Sequence, residues 1–218
     1  MSNMKKEEEN NLNIPNKEEN KKLKDNIINN KDKNYIIAEI NINKNNIDER
    51  IRLINSFEQT IKEKGENYYD IEKEDYYKYE NEKEIKDNCE IEINNKKIEF
   101  SYFYKFKKEG KYIIKYIFLK NMTKTDFMFS NCNSLTNLNF SNFNTKNVNN
   151  MNSMFSYYNS LTNLNLSNFI TQNVTDMRSM FSNCKSLTNL NLSNFNTKNV
   201  NNMRAMFFNC KSLTNLNL

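Results

Sequence analysis

The chain has no histidine and no tryptophan, and only two glycines, one proline and four cysteines in 218 residues. Without an imidazole, Ser-His-Asp and Cys-His nucleophile systems are excluded, because each needs that ring to take the nucleophile's proton. A zinc site would rest on Cys89, Cys132, Cys184 and Cys210, which contain no C-x-x-C pair. Gly65 and Gly110 stand apart and make no phosphate-cradling loop. No apolar run reaches the length of a membrane span, and the N-terminal segment lacks a signal peptide's apolar stretch. Sequence alone therefore assigns no catalytic residue, no metal and no cofactor. It leads us to expect a cytoplasmic, non-enzymatic chain, with the cell surface as the alternative if another route delivers it there.

About a fifth of the residues are asparagine, a profile that follows codon bias in an AT-rich genome. The second half of the chain repeats with a period of 26 residues, shown by Met128-Phe129, Met154-Phe155, Met180-Phe181 and Met206-Phe207. The same step relates Leu135, Leu161 and Leu187, then Leu138, Leu164 and Leu190, then Leu166 and Leu192. It also relates Phe143, Phe169 and Phe195, then Val148, Val174 and Val200, and Met151, Met177 and Met203. A period of this length marks stacked supersecondary units, none of which buries its apolar face alone. These residues, with Phe129, Phe155, Phe181, Phe207, Cys132, Cys184 and Cys210, are the expected core ladder. Tyr158 takes the cysteine's place in one copy.

Within a copy, Leu190-x-Leu192 alternates like a half-buried strand. Val200, Met203, Phe207 and Cys210 are spaced like one face of a short helix, with Asn199 placed to cap its start. The outward strand positions are Thr136, Asn137, Asn139, Thr162, Asn163, Asn165, Thr188, Asn189 and Asn191, the candidate interaction face. Asn139, Asn165, Asn191 and Asn217 are expected to form an amide ladder across strands about 4.8 Å apart.

L-x-x-L-x-L followed by V-x-x-M-x-x-M-F-x-x-C resembles the BspA-type leucine-rich repeats, a bacterial surface-protein repeat also found in large protist families. The resemblance covers about residues 127–218. It implies an α/β solenoid: a right-handed leucine-rich-repeat stack with one parallel strand and one short helix per repeat.

Ahead of the repeats, residues 34–120 read as a small β-rich domain covering the first coil. Residues 35–42 read as a strand, and 48–64 are ambiguous between helix and strand, leaning to helix before Gly65. Residues 89–93 and 97–106 form a hairpin around Asn94-Asn95, and residues 111–119 a third strand. Residues 1–33 are mostly Lys, Glu and Asn and read as a disordered tail. Glu80, Glu82 and Glu84 read as solvated surface. The net charge of +5 belongs wholly to residues 121–218, with seven basic side chains against Asp126 and Asp176. Lys146/Lys198, Arg178/Arg204 and Lys185/Lys211 recur at equivalent positions, a pattern that suits a solvated outer face better than an anion-binding stripe. No nucleic-acid motif accompanies them.

Together these features describe an interaction module binding a protein or a glycan on its uncharged Asn/Thr face. A surface or adhesive structural protein is the alternative, and an enzyme with its site in residues 34–120 a third reading. The final L-T-N-L-N-L run stops inside a copy, so the chain is expected to be a fragment of a longer array or to self-associate through an uncapped C-terminal end. The cysteines are expected to be reduced core thiols.

Overall fold

A computed structural model describes residues 34–65 and 73–218. The expected tail of residues 1–33 lies outside the described residues. The first strand, β1 (Asn34–Ile42), is followed by β2 (Ile51–Arg52), helix α1 (Phe57–Lys64) and helix α2 (Glu82–Asn88). Strands β3 (Cys89–Ile93), β4 (Lys96–Ile98), β5 (Phe103–Tyr104) and β6 (Gly110–Phe118) come next. The repeats then supply β7 (Leu135–Asn142), β8 (Asn163–Leu164), β9 (Asn189–Asn191) and β10 (Asn215–Asn217). No helix among the described residues is long and apolar enough to cross a membrane.

Local chemistry explains these elements. Asn94 and Asn95 adopt φ of 49° and 63°, the left-handed pair that a two-residue hairpin turn needs, and they join β3 to β4. Residues 97–106 do not run on as one strand. β4 stays with β3, whereas β5 leaves to pair with β2, because Tyr102 and Phe106 are drawn into the core and the Leu53 N–H bonds the Tyr102 carbonyl. Residues 48–64 divide in the same spirit into strand β2 and helix α1. Ser56 caps that helix by accepting the Gln59 N–H at 3.0 Å, and Gly65 ends it at φ 89°. β6 is almost continuously apolar because it is a central strand, flanked by β3 and β1.

The first copy of the repeat does not do what its sequence suggests. β7 pairs antiparallel with β1, Leu138 opposite Ala38 and Asn137 opposite Glu39, and so closes a five-stranded sheet in the order β4-β3-β6-β1-β7. Among the described residues β8, β9 and β10 form the parallel sheet, with Leu164, Leu190 and Leu216 in register, and isolated parallel bridges link Lys124, Asn150, Asp176 and Asn202 of successive turn segments. Most strand pairing in the molecule is therefore antiparallel.

The expected α/β solenoid, a right-handed leucine-rich-repeat stack with a short helix in each copy, is not what forms. The segment from Val200 to Cys210 and its equivalents are chains of turns. In each copy two residues take positive φ: Phe127 and Asn131, Ser153 and Tyr157, Ser179 and Asn183, Ala205 and Asn209, all between 55° and 61°. Left-handed residues at these intervals interrupt any α-helix. The backbone N–H groups are also committed elsewhere. Met151, Ser153, Phe155 and Tyr157 donate to Asp176, Arg178, Met180 and Ser182 of the next copy, while Met154, Ser156 and Tyr158 donate three residues back. Asn199 caps nothing. Its Nδ2 donates to the Gln172 carbonyl of the preceding copy at 2.6 Å.

The apolar step survives this change of backbone, because turns that repeat every 26 residues place equivalent side chains above one another. Phe155, Phe181 and Phe207 stack at 5.6 and 5.7 Å with rings within 8° of parallel, and Phe129 continues the column at 6.3 Å. Phe169 and Phe195 make a second column, at 6.3 Å. Phe129, Leu135, Leu138, Phe143, Val148, Met151, Cys132, Phe155, Leu161, Leu164, Leu166, Phe169, Val174, Met177, Phe181, Cys184, Leu187, Leu190 and Leu192 are all buried. The last copy departs from the expected ladder. Met203 is 48% exposed, and Phe195, Val200, Phe207 and Cys210 are half-buried, because no repeat of this chain lies over them. The core is continuous from Ile36 of β1 through Met206, so the N-terminal sheet and the repeats bury one another.

Two outcomes are expected. Leu190 is 3% exposed between two copies, so Leu190→Asp should cost several kcal/mol, seen as a large loss in chemical-denaturation midpoint. Thr188, half-buried with its hydroxyl on the Thr162 carbonyl at 3.2 Å, should cost only about 1 kcal/mol as Thr188→Ala. Asp126 is fully buried with neither carboxylate oxygen hydrogen-bonded among the described residues, and burial pushes its pKa well above the ordinary value. The unfolded chain releases this proton near pH 4 while the fold retains it, so its contribution to stability falls as pH rises from there. Asp126→Asn should raise the Tm at pH 7 and flatten its decline from about pH 4 to 7. An unchanged slope in thermal melts would show that this carboxyl is paired.

Candidate binding face

Strands β7 to β9 bury one set of side chains and turn the alternate set to solvent, as a period of two requires, whereas all three residues of β10 are exposed. Thr136, Asn137, Asn139, Thr162, Asn163, Asn165, Asn189 and Asn191 are exposed, and Thr188 is half-buried. A groove of about 700 Å³ crosses these strands. Its walls take in Asn137, Asn163, Asn165, Asn189 and Asn191, together with Ser167, Thr214, Asn215 and Asn217, over a floor of Leu138, Leu164, Leu190 and Leu216. Thr136, Asn139, Thr162 and Thr188 are not among its lining residues. Thr214 and Asn215 keep the 26-residue step and belong to the face on the same grounds as their partners. Ser167 follows the strand and keeps the same 26-residue step, with Ser141 and Ser193 as its equivalents.

The polar rows divide into three kinds. The threonine hydroxyls are spent on the neighbouring backbone: Thr188 and Thr214 donate to the carbonyls of Thr162 and Thr188, and Thr136 donates to Glu39 of β1. The amide ladder runs through Asn163, Asn189 and Asn215, where Asn189 Nδ2 donates to Asn163 Oδ1 at 3.2 Å and Asn215 Nδ2 to Asn189 Oδ1 at 2.5 Å. It does not run through Asn139, Asn165, Asn191 and Asn217. There the Oδ1 atoms of Asn139, Asn165 and Asn191 accept the backbone N–H two residues on, from Ser141, Ser167 and Ser193, at 2.9, 3.0 and 3.0 Å. A local turn of this kind competes with a cross-strand bond for the same oxygen and is closed first, within three residues.

The charged groups lie elsewhere. Lys146, Lys185, Lys198, Arg204 and Lys211 are exposed, Arg178 is half-buried, and none lines the groove. Glu84 is not simply solvated: its carboxylate accepts the Thr123 N–H at 2.6 Å and hydroxyl at 2.9 Å, tying α2 to the first coil. Glu82 accepts the Tyr102 hydroxyl at 3.1 Å and pairs with Lys86 at 2.7 Å. A crevice of about 70 Å³ between α1 and the first copies is lined by Asn55, Thr60, Ser130 and Asn131 and holds one carboxylate, Glu63, which is ion-paired with Arg52. Cys184 and Cys210 donate their thiol hydrogens to the carbonyls of Phe155 and Phe181, both at 3.0 Å. Burial pushes the Cys132 and Cys184 thiols up to about 12, so both stay protonated. Tyr158 fills the cysteine site differently, reaching back to donate its hydroxyl to the Leu135 carbonyl at 2.9 Å.

Asn189→Ala removes both ladder bonds of the middle strand and should lower stability by about 1 kcal/mol at this exposed position. Asn165→Asp keeps the oxygen that closes its turn and should change stability less. Denaturant titration of the two variants checks the ranking.

The groove, the stacked turns and the antiparallel cap can be set against known proteins. Neither the curated proteins nor the solved structures contain a match to the chain. A family model described as "Mycoplasma protein of unknown function, DUF285" matches residues 99–217, more than half of the chain and all but the last residue of the repeat region. This match overturns the resemblance to BspA-type leucine-rich repeats. The V-x-x-M-x-x-M-F-x-x-C run that suggested it builds turns in place of the expected helix, so it carries a different local structure from the one the resemblance implied. The chain belongs to the DUF285 family.

Proposed function

We propose that the chain is a non-catalytic recognition module that holds its ligand on the Asn-lined groove crossing β7 to β10. The observation that carries this reading is the groove itself: about 700 Å³, open, walled by asparagine, serine and threonine, and with no charged side chain among the described residues. Its amides stand on strands locked to their neighbours by backbone and side-chain bonds, so little ordering free energy is lost when a ligand docks. Amide groups donate and accept, which suits a polar, uncharged partner surface on a protein or a glycan. Nucleic acid is disfavoured, because its phosphates call for lysine or arginine and the groove offers neither among the described residues.

Location decides which ligands the module meets. A cytoplasmic chain would face other proteins, and a surface one would face glycans as well. Imaging the tagged protein in its own cell separates these settings.

The binding test uses the whole chain immobilised against a glycan array and an array of uncharged peptides. Wild type should retain a ligand, and Asn165→Asp, which keeps the turn but exchanges a donor for a charged acceptor, should weaken it at least tenfold. Lys185→Gln on the outer face should leave it unchanged. A ligand indifferent to Asn165→Asp and sensitive to Lys185→Gln would move the site off the groove.

A further inference from the structure

Asp126 lies where the helices of the cap meet the stack. Its carboxyl is fully buried, and among the described residues no other acid is buried with both oxygens unpaired. The residue's other groups tie the two parts together. The Asp126 carbonyl accepts Asn81 Nδ2 at 2.6 Å just ahead of α2, and the neighbouring Phe127 ring meets Phe57 of α1 at 5.6 Å. Phe57, Tyr79 and Phe127 form a small buried cluster apart from the main core.

The charged groups that act on the carboxyl are one cation and two anions: Lys124 in its own segment, Glu58 on α1 and Asp176 further along the stack. Lys124 Nζ is already bonded to the carbonyls of Tyr77 and Glu80, at 2.7 and 3.3 Å. Glu58 accepts the N–H groups of Asn81 and Glu82, and Glu84 of α2 accepts those of Thr123 and Lys124. Asp176 accepts the Arg178 N–H at 2.7 Å. An ionised Asp126 would therefore stand unpaired in a dry contact with two carboxylates near it, and burial holds its pKa well above the ordinary value.

We propose that Asp126 is a pH-set latch: its neutral form lets α1 and α2 close on the first coil, and as pH rises these helices lift from that coil while the antiparallel sheet stays in place. The closed contact keeps the proton, whereas in the open one water solvates the carboxylate. Each pH unit above about 4 therefore favours opening by about tenfold, until the closed carboxyl itself ionises. β1 is held by backbone ladders to β6 and β7, which contain no titrating group, so the sheet does not follow. Lifting the helices uncovers the Phe127 ring and the Asp126 carbonyl, a face that the closed chain withholds from solvent and from partners.

Hydrogen exchange of the full chain, read by mass spectrometry from about pH 5 to 8, tests the latch. After correction for the intrinsic rise of exchange with pH, peptides covering residues 57–64, 82–88 and 125–129 should lose about tenfold in protection per pH unit, while those of β1 and β6 keep theirs. Asp126→Asn, a neutral amide of the same shape, should abolish this pH dependence. Equal corrected protection across the range in the wild type would overturn the proposal. So would the same decline in Asp126→Asn, or a wild-type decline shared equally by β1 and β6, which marks opening of the whole fold in place of one element.

Discussion

The backbone hydrogen bond that passes from one 26-residue copy to the next is the constraint on which the rest of this structure depends. Alternate N–H groups of the turn segment are spent on the following copy, and the groups between them on the residue three back. That division leaves no donor for a helix, sets the two left-handed residues per copy, and lifts each copy above its predecessor in strict register. Buried backbone groups have to be paired, and here the pairing is intermolecular in character although it lies within one chain. Each copy is a partner for its neighbours more than a unit in itself.

A stack built this way exposes unpaired groups and apolar side chains at its ends, and the chain handles its first copy with an antiparallel sheet. β1 takes β7 as a partner, Asn55 and Asn81 reach the backbone of the lead-in coil at Ser130 and Asp126, and Glu84 holds the N–H groups of Thr123 and Lys124. The phenylalanine columns begin against this cap, where the Tyr116 ring meets Phe129 at 5.5 Å. At the far end Met203, Phe208, Leu216 and Leu218 are between 39% and 79% exposed. The gradient from a fully buried Met151 to an exposed Met203 shows that burial at these positions comes from neighbouring copies.

Asparagine serves three purposes in the same stack. It ties copies together through the side chains of Asn168, Asn173, Asn194 and Asn199 on preceding carbonyls, it closes turns through Asn139, Asn165 and Asn191, and it lines the groove. A residue with one donor group and one acceptor on a short stem can do each of these, and glycine is not needed where asparagine tolerates positive φ. Codon usage can raise the asparagine content, but at these positions the fold uses each side chain.

Periodicity by itself determined the 26-residue step, the buried leucines, phenylalanines and methionines, and the alternation that sends Thr136, Asn137 and their equivalents outward, because each of these follows from side-chain spacing along a chain that repeats. The β1 and β6 strands and the Asn94-Asn95 turn were legible for the same local reason. Only the tertiary structure decided three other matters. Val200, Met203, Phe207 and Cys210 have helical spacing yet lie on turns, since the destination of each N–H is set by the next copy and not by local pattern. β7 carries the same words as β9 but pairs antiparallel, since β1 offers an edge that no spacing within the repeat reveals. Asn163 joins the ladder while Asn165 closes a turn, since two chemically identical side chains are divided by which backbone N–H lies within reach.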